Sequence, residues 1–217
     1  MRRLHVLVTA GPTREPLDPV RFLSNRSSGK MGYALAEAAL AAGHDVTLVS
    51  GPVNLSPQAD ARTIRVETAA EMRTVVLKEA RRADVVIMAA AVADYQPASR
   101  ARHKIKKRKN GLVLRLQKTP DILAELGRRK PQGQLLVGFA AETHRLLIHA
   151  RQKLQSKNLD LIIANRVGKK TEGFEADVNR VIVLDRDGHA QRFPLMNKKK
   201  LSRRLITLIF SKLNSAC

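Results

Sequence analysis

The feature that most constrains the fold is a near-continuous apolar run from Val85 to Val92. An apolar run without alternation is typical of a strand buried on both faces, as in a parallel sheet covered by helices. Similar apolar runs occur at 4–9, 45–50, 135–139 and 159–164. Segments with helical patterns separate these runs, so the sequence predicts an α/β fold.

Local signals place the helices between the strands. Thr68 and Glu71 have the spacing of a capping box, and Gly43 follows an Ala-rich segment as a helix-ending residue does. The predicted helices cover 31–42, 68–82, 142–157 and a basic segment from about 197. Before the last helix, 181–184 and 191–193 flank Asp187-Gly188 and predict a hairpin. We expect one domain, 1–217, with a Rossmann-like, doubly wound, mostly parallel sheet, helices on both faces and a late β-hairpin.

The charge of the chain predicts anionic partners. It carries 40 Lys and Arg against 19 Asp and Glu, a net charge of +21. Part of this surplus lies in a long basic loop at about 94–111, which we expect to be mobile and functional. Aromatic residues make up only 3% of the chain and there is no Trp, which argues against a protein that stacks on nucleic acid.

Several features predict a cytoplasmic protein. The N-terminus does not resemble a signal peptide, and no apolar run reaches the roughly 18 residues that a membrane-spanning helix needs. The single cysteine, Cys217, cannot form an internal disulfide and is expected to be an exposed, incidental thiol. None of the six histidines has a partner at metal-binding spacing, so no histidine metal site is expected.

The segment from Ser24 to Gly32 carries the strongest local sign of function. It offers hydroxyls, an amide, cations and two glycines where a helix should begin, which suits a phosphate. Neither the dinucleotide pattern G-x-G-x-x-G nor a P-loop is present, and the G-x-x-G of Gly29 and Gly32 could instead allow close packing of helix on strand. The residues predicted to bind phosphate or substrate are Gly11, Arg14, Ser27, Ser28, Gly29 and Lys30.

Polar or small residues follow several predicted strands. Arg14 comes after the first strand, Asp94 after the run at 85–92, Phe139 and Glu142 end another strand, and Asn165 follows 159–164. Ligands of doubly wound sheets bind at the carboxyl ends of the strands, so we expect these residues to share one site. An NAD(P)-dependent oxidoreductase remains an alternative, although its glycine fingerprint and a Tyr-x-x-x-Lys pair are missing.

These residues also carry a family resemblance. The chain resembles phosphopantothenoylcysteine synthetase in the segment 10–32, in Ala89 to Tyr95, in Lys104 to Lys107 and in three later motifs. Those later motifs are Thr119 to Leu123, Gly138 to Thr143 and Lys157 to Asp160. The matches follow the order of the family and span essentially the whole chain.

The resemblance implies a Mg²⁺-dependent ligase of coenzyme A biosynthesis. The family activates 4′-phosphopantothenate with CTP to an acyl-cytidylate, and cysteine then displaces CMP to form the amide. No flavin, membrane or specific nucleic acid is implied. The resemblance also implies a homodimer, and a separate phosphopantothenoylcysteine decarboxylase that would act next.

The resemblance assigns roles by position. Asn25 and Lys104 match catalytic residues, and Asp94 matches a nucleotide-contacting residue that could also be a metal ligand. The nucleotide-binding residues it implies are Met88, Ala89, Ala90, Asp94, Lys104, Pro120, Asp121, Ile122, Leu123, Phe139, Lys153 and Lys157. Without the resemblance, Asn25 would be read as a helix cap, Phe139 as core, and Lys153 and Lys157 as one exposed helical face.

Overall fold

The computed structural model describes residues 2–56, 58–107, 111–167 and 176–215. Cys217 and the part of the basic loop at 108–110 lie outside these residues. Within them, no helix is long and apolar enough to cross a membrane.

One sheet of eight strands organises the fold, in the order β12-β11-β10-β9-β6-β1-β4-β5. In chain order its strands are β1 (His5–Ala10), β4 (Asp45–Ser50), β5 (Arg62–Arg65), β6 (Val85–Met88), β9 (Leu135–Glu142), β10 (Leu161–Arg166), β11 (Val178–Asp185) and β12 (Ala190–Asn197). The first six are parallel, and β11 and β12 join as an antiparallel hairpin at one edge. The predicted doubly wound sheet with a late hairpin is therefore confirmed.

Helices cover both faces of this sheet. Their bounds are α1 (Lys30–Ala41), α2 (Ala69–Glu79, continued by a 3₁₀ turn at 80–82), α3 (Ile122–Arg129), α4 (Leu146–Ser156) and α5 (Lys198–Ser215). One core cluster joins α1 and α5 to the sheet, and the other joins α2, α3 and α4 to the opposite face. In β6, Val85 and Ile87 enter the first core and Val86 and Met88 the second, which explains the unbroken apolar run.

Some predicted boundaries were wrong. The apolar run leaves the sheet after Met88, although Ala91 still forms an isolated bridge with Pro12. The helix expected from Glu142 begins at Leu146, because β9 continues and pairs Glu142 with Arg166 of β10.

The structure also contains short elements that the sequence did not predict. β2 (Arg14–Pro16) pairs with β3 (Phe22–Ser24), and β7 (Tyr95–Pro97) pairs with β8 (Leu116–Lys118). The segment expected to be a basic loop from 94 therefore begins with a strand. These two small ribbons stand outside the main sheet.

The G-x-x-G pattern has a packing role. A Cβ on Gly32 would lie 2.6 Å from the Cβ of Ala10 and 2.8 Å from the carbonyl oxygen of Thr9, so glycine lets α1 lie directly on β1. Gly29 precedes α1 with φ +76°, a conformation that glycine adopts without strain. Close packing of helix on strand, the alternative to a phosphate site, thus accounts for Gly32.

Candidate active site

A cleft of about 680 Å³ lies at the carboxyl edge of the parallel strands. Its walls come from the residues after β6, the ends of β9 and β10, the start of α1, the start of α3 and the second half of α4. Asn179 of β11 and the first residue of α5 complete it. This is the edge at which doubly wound sheets bind ligands, as the strand ends predicted.

Asn25 connects two walls of this cleft. Its Nδ2 donates to the carbonyl oxygens of Ala91 at 3.2 Å and Val92 at 3.0 Å. The residue before α1 is Gly29, and no side chain of the described residues caps that helix. Asn25 is therefore not a helix cap, and its carboxamide lies at the cleft with both N–H groups engaged by backbone oxygens.

Two lysines reach the cleft from α4 and the residue after it, and each of them contacts a carboxylate. Lys153 Nζ donates to Glu142 Oε1 at 2.7 Å, and Lys157 Nζ lies 2.9 Å from Asp121 Oδ2. Asp121 also accepts from the N–H of Ala124 and so caps α3. The four-residue spacing places both ammonium groups on the cleft side of the helix.

The same contacts set the ionisation of the two carboxylates. Burial by itself raises the pKa of Glu142, but hydrogen bonds from Lys153 and His149 outweigh it and lower the pKa. Burial likewise raises the pKa of Asp121, but hydrogen bonds from the Ala124 N–H and from Lys157 outweigh it and lower this pKa below its ordinary value. Both groups are anions at neutral pH, and the lysines beside them are held in place.

Apolar residues form another part of the cleft lining, which we call the apolar slot. They lie at and after the end of β6, at and before the start of α3 and on β9: Met88, Ala89, Ala90, Pro120, Ile122, Leu123 and Phe139. Phe139 also packs against the core that joins α1 and α5 to the sheet, so its ring is part of both that core and the cleft wall. A flat ring bounded by small side chains can receive a nucleobase.

Asp94 and Asp121 both line the cleft, and Asp121 is the one that already binds Lys157 and the N–H of Ala124. The described residues contain one cluster of three side chains with metal-ligand atoms, Asp185, Asp187 and His189, and Asp94 is not in it. Mg²⁺ is commonly held by one or two carboxylates together with substrate phosphates, so Asp94 in a cleft lined by lysines fits that ion.

Some predicted site residues lie outside the cleft wall. Arg14 packs its guanidinium 4.5 Å from the ring centre of Phe22, and Gly11 lies under α1 with its carbonyl accepting from the N–H of Ala91. Ser28 and Lys104 do not line the cleft, unlike Ser27, Gly29 and Lys30.

Lys104 is exposed, but the residue after it is anchored. The N–H of Ile105 donates to Asp18 Oδ2 at 3.0 Å, and Arg21 Nη2 donates to the carbonyl oxygen of Ile105 at 2.8 Å. Asp18 also binds the Arg21 guanidinium at 2.6 Å. Together these hydrogen bonds form a clamp that ties the basic segment to the turn between β2 and β3. The clamp fixes the backbone next to Lys104.

Asn165 was expected at the site as a strand-end residue, and it lies buried in the cleft. Two further buried polar residues of the cleft, Asn179 and Lys198, received no role from the sequence. Burial and the nearby charge of Lys30 lower the pKa of Lys198 to about 8. In the sequence, Lys198 is the first of three consecutive lysines, and nothing in that run distinguishes a buried ammonium from its exposed neighbours.

Comparison with known proteins agrees with this architecture. The family DFP, described as the DNA/pantothenate metabolism flavoprotein C-terminal domain, matches residues 1–213. This chain belongs to that family. It is similar to the coenzyme A biosynthesis bifunctional protein CoaBC of Bacillus subtilis, with 52% identity over 199 residues, covering 91% of this chain and 49% of that protein. The Escherichia coli protein of the same name is 44% identical over 215 residues, covering 98% of this chain and 53% of its own length.

The DFP chain thus spans about half the length of these curated relatives. Its fold superimposes on the crystal structure of the C-terminal domain of a CoaBC protein with a TM-score of 0.84 and 42% identity, covering 99% of this chain and 98% of that one. The resemblance to phosphopantothenoylcysteine synthetase is confirmed at the level of the family, and the mostly parallel sheet is shared with the solved domain.

Proposed function

We propose that this DFP domain, 1–217, is a phosphopantothenate–cysteine ligase that uses CTP. The observation that carries the proposal is one cleft that combines an apolar slot, five lysines and a carboxamide at the carboxyl edge of the sheet. In support, a Cab2 mutant with the same fold, 20% identical to this chain, was solved in complex with phosphopantothenate-cysteine.

The proposed reaction has two steps. The carboxylate oxygen of 4′-phosphopantothenate attacks the α-phosphorus of CTP, and pyrophosphate leaves with the electrons of the broken P–O bond. The amine of cysteine then attacks the acyl carbon, CMP leaves and the nitrogen loses a proton. Neither step needs a protein nucleophile, so the protein must position two polyanions and compensate their charge.

The side chains divide this work. Lys153 and Lys157 offer positive charge on one side of the cleft, with Ser27, Gly29 and Lys30 on the other. Asn25 supplies an uncharged hydrogen-bond donor beside the reacting carboxylate. Its NH₂ group would give up a hydrogen bond to a backbone carbonyl oxygen and donate to the acyl oxygen instead. We place the base of CTP in the slot beside Phe139, where adenine would be too large.

Mg²⁺, when bound, would compensate the phosphate charge, and Asp94 is the residue we assign to hold it. We propose that Lys104 contacts the phosphates after the basic segment closes over them, since its anchored neighbour Ile105 sets the hinge of that segment. We expect no flavin requirement and a cytoplasmic location, with a separate phosphopantothenoylcysteine decarboxylase consuming the product.

We also propose a homodimer. The hairpin edge near Asp187-Gly188 is one candidate interface, because the edge of a sheet is otherwise unpaired. Most of the large exposed apolar side chains of the described residues, however, lie on the two small ribbons and the segments that connect their strands. These are Val20, Phe22, Tyr95, Leu112, Val113, Leu114 and Leu116, of which Val113 is 96% exposed. A second copy of the chain is the partner that the family implies, and an apolar patch of this kind suits such an interface.

One experiment tests the proposed chemistry. The purified chain is incubated with 4′-phosphopantothenate, labelled cysteine, Mg²⁺ and each nucleoside triphosphate in turn, and pyrophosphate and labelled amide are both measured. We expect the two products in equal amounts with CTP, and pyrophosphate without amide when cysteine is omitted. Pyrophosphate release that does not depend on phosphopantothenate, or no amide with any nucleotide, would refute the proposal.

A further inference from the structure

The cleft contains a basic corner in which the family motifs account for Lys30 but not for Lys198 or Asn179. Lys198 is the first residue of α5 and is only 5% exposed, and Asn179 of β11 is only 4% exposed. Both line the cleft together with Lys30, the first residue of α1. Because α1 and α5 cover one face of the sheet and α4 the other, this corner faces Lys153 and Lys157 across the sheet edge.

The two ammonium groups of this corner are close enough to repel each other. The charge of Lys30 and the burial of Lys198 both lower the pKa of Lys198, and Asp177 offsets them only in part. Asp177 Oδ1 lies 2.5 Å from Lys30 Nζ, and its backbone oxygen accepts from the N–H of Lys198 at 2.9 Å. The Asp177 side chain is 75% exposed, so this carboxylate compensates the buried charge weakly.

The place of Lys198 in its helix also disfavours a purely structural role. A positive side chain in the first turn opposes the helix dipole, and α5 has no acidic residue there. Burying an ammonium group has a further cost that an apolar residue of similar length would avoid. An anion bound in the cleft would interact favourably with this buried positive charge at the start of α5.

We propose that Lys198, Lys30 and Asn179 form a phosphate-binding subsite of the active cleft. The two ammonium groups supply charge, and Asn179 supplies its NH₂, because its Oδ1 already accepts from the N–H of Arg180 at 3.0 Å. The ligand is a phosphoryl or diphosphoryl group, which could belong to the nucleotide or to the phosphorylated acid. The assignment of a source rests on the proposed ligase function.

The test compares Lys198→Met with Lys199→Met. Lys199 is the next residue, is 68% exposed and lies beside Glu37, so its replacement controls for lost charge in the same turn. Titration calorimetry with pyrophosphate as the probe should show affinity lowered on the order of tenfold in Lys198→Met and unchanged in Lys199→Met. Lys198→Arg, which keeps the charge, should recover part of the affinity.

Steady-state kinetics then distinguish the sources. A raised KM for CTP with an unchanged KM for phosphopantothenate assigns the subsite to the nucleotide, and the reverse pattern assigns it to the phosphorylated acid. In either case the KM for cysteine should not change. Equal pyrophosphate affinity in wild type, Lys198→Met and Lys199→Met would overturn the subsite. If no variant forms amide but Lys198→Met still loses pyrophosphate affinity, the ligase proposal fails and the subsite stands.

Discussion

Gly127→Ala should destabilise the protein, although alanine is favoured over glycine inside a helix by about 1 kcal/mol. Gly127 is buried in α3, and a Cβ there would lie 1.9 Å from the carbonyl oxygen of Lys157. The obstacle is backbone, so α3 must move away from the end of α4. That movement also strains the hydrogen bond from Asn158 Nδ2 to the Gly127 carbonyl, 2.8 Å long in the parent.

Overpacking of this kind costs about 1–3 kcal/mol, and a clash with backbone belongs at the upper end. Subtracting the gain in helix propensity leaves about 2 kcal/mol of net destabilisation. For a chain of this size that corresponds to a fall in Tm of roughly 4–8 °C. Thermal unfolding followed by circular dichroism measures it directly.

The same displacement should reach the cleft. Lys157 follows α4 and pairs with Asp121, which begins α3, so separating the helices loosens a predicted nucleotide contact. We expect KM for CTP to rise several-fold, with a smaller change in kcat. Arg128→Ala, at the exposed neighbouring position of the helix, is the control and should leave Tm and KM nearly unchanged. A higher Tm for Gly127→Ala would show that propensity outweighs the clash and would refute the reasoning.

Three further predictions concern the cleft and the segment beside it. Asn25→Asp should lower kcat by about 10²–10³-fold with CTP binding retained, because a carboxylate would face the carbonyl oxygens that the amide now binds. Full activity of this variant, or loss of CTP binding, would contradict the assigned role. Lys104→Gln should slow the reaction with CTP and ATP alike, and a reversed ratio of kcat/KM for the two nucleotides would disprove a phosphate contact. Hydrogen bonds from Arg21 hold the pKa of Asp18 well below its ordinary value of 3.8. The ionised Asp18 therefore stabilises the fold fully above pH 3.8, and this stabilisation is lost as the pH falls below that value. Tm should consequently drop less steeply in acid for Asp18→Asn than for the parent. Parallel curves of Tm against pH for the two proteins would exclude this clamp.

The main sheet could be predicted because its strands are buried on both faces. Each parallel strand is a continuous apolar run, and that pattern needs no knowledge of its neighbours. The ribbons could not be predicted in this way: β2, β3, β7 and β8 have three residues each and pair only with one another. Helix α3 was not predicted because it has only eight residues and contains Gly127, which disfavours a helix locally. The close contact with the residue after α4 is what requires glycine at this position.

The candidate site could be predicted only at positions that belong to the family motifs. The resemblance placed Asn25, Lys153 and Lys157 in one site, and the structure brings them to one cleft. Lys198 had no such signal, because its burial depends on the packing of α5 against the sheet. The turn between β2 and β3 likewise determines where Lys104 lies, through a clamp between residues more than 80 positions apart.

The lysines of the cleft share an arrangement that bears on how a polyphosphate could bind. Lys153, Lys157 and Lys30 each contact a carboxylate, from Glu142, Asp121 and Asp177 respectively. Partly exposed ion pairs of this kind contribute at most about 1 kcal/mol, so they orient a long side chain without binding it tightly. A phosphate group carries more charge and more acceptor oxygens than a carboxylate, and its hydrogen bonds to an ammonium group are correspondingly strong. The carboxylates therefore reduce the entropy lost when the lysines are fixed by a ligand, while remaining weak enough for that ligand to displace them.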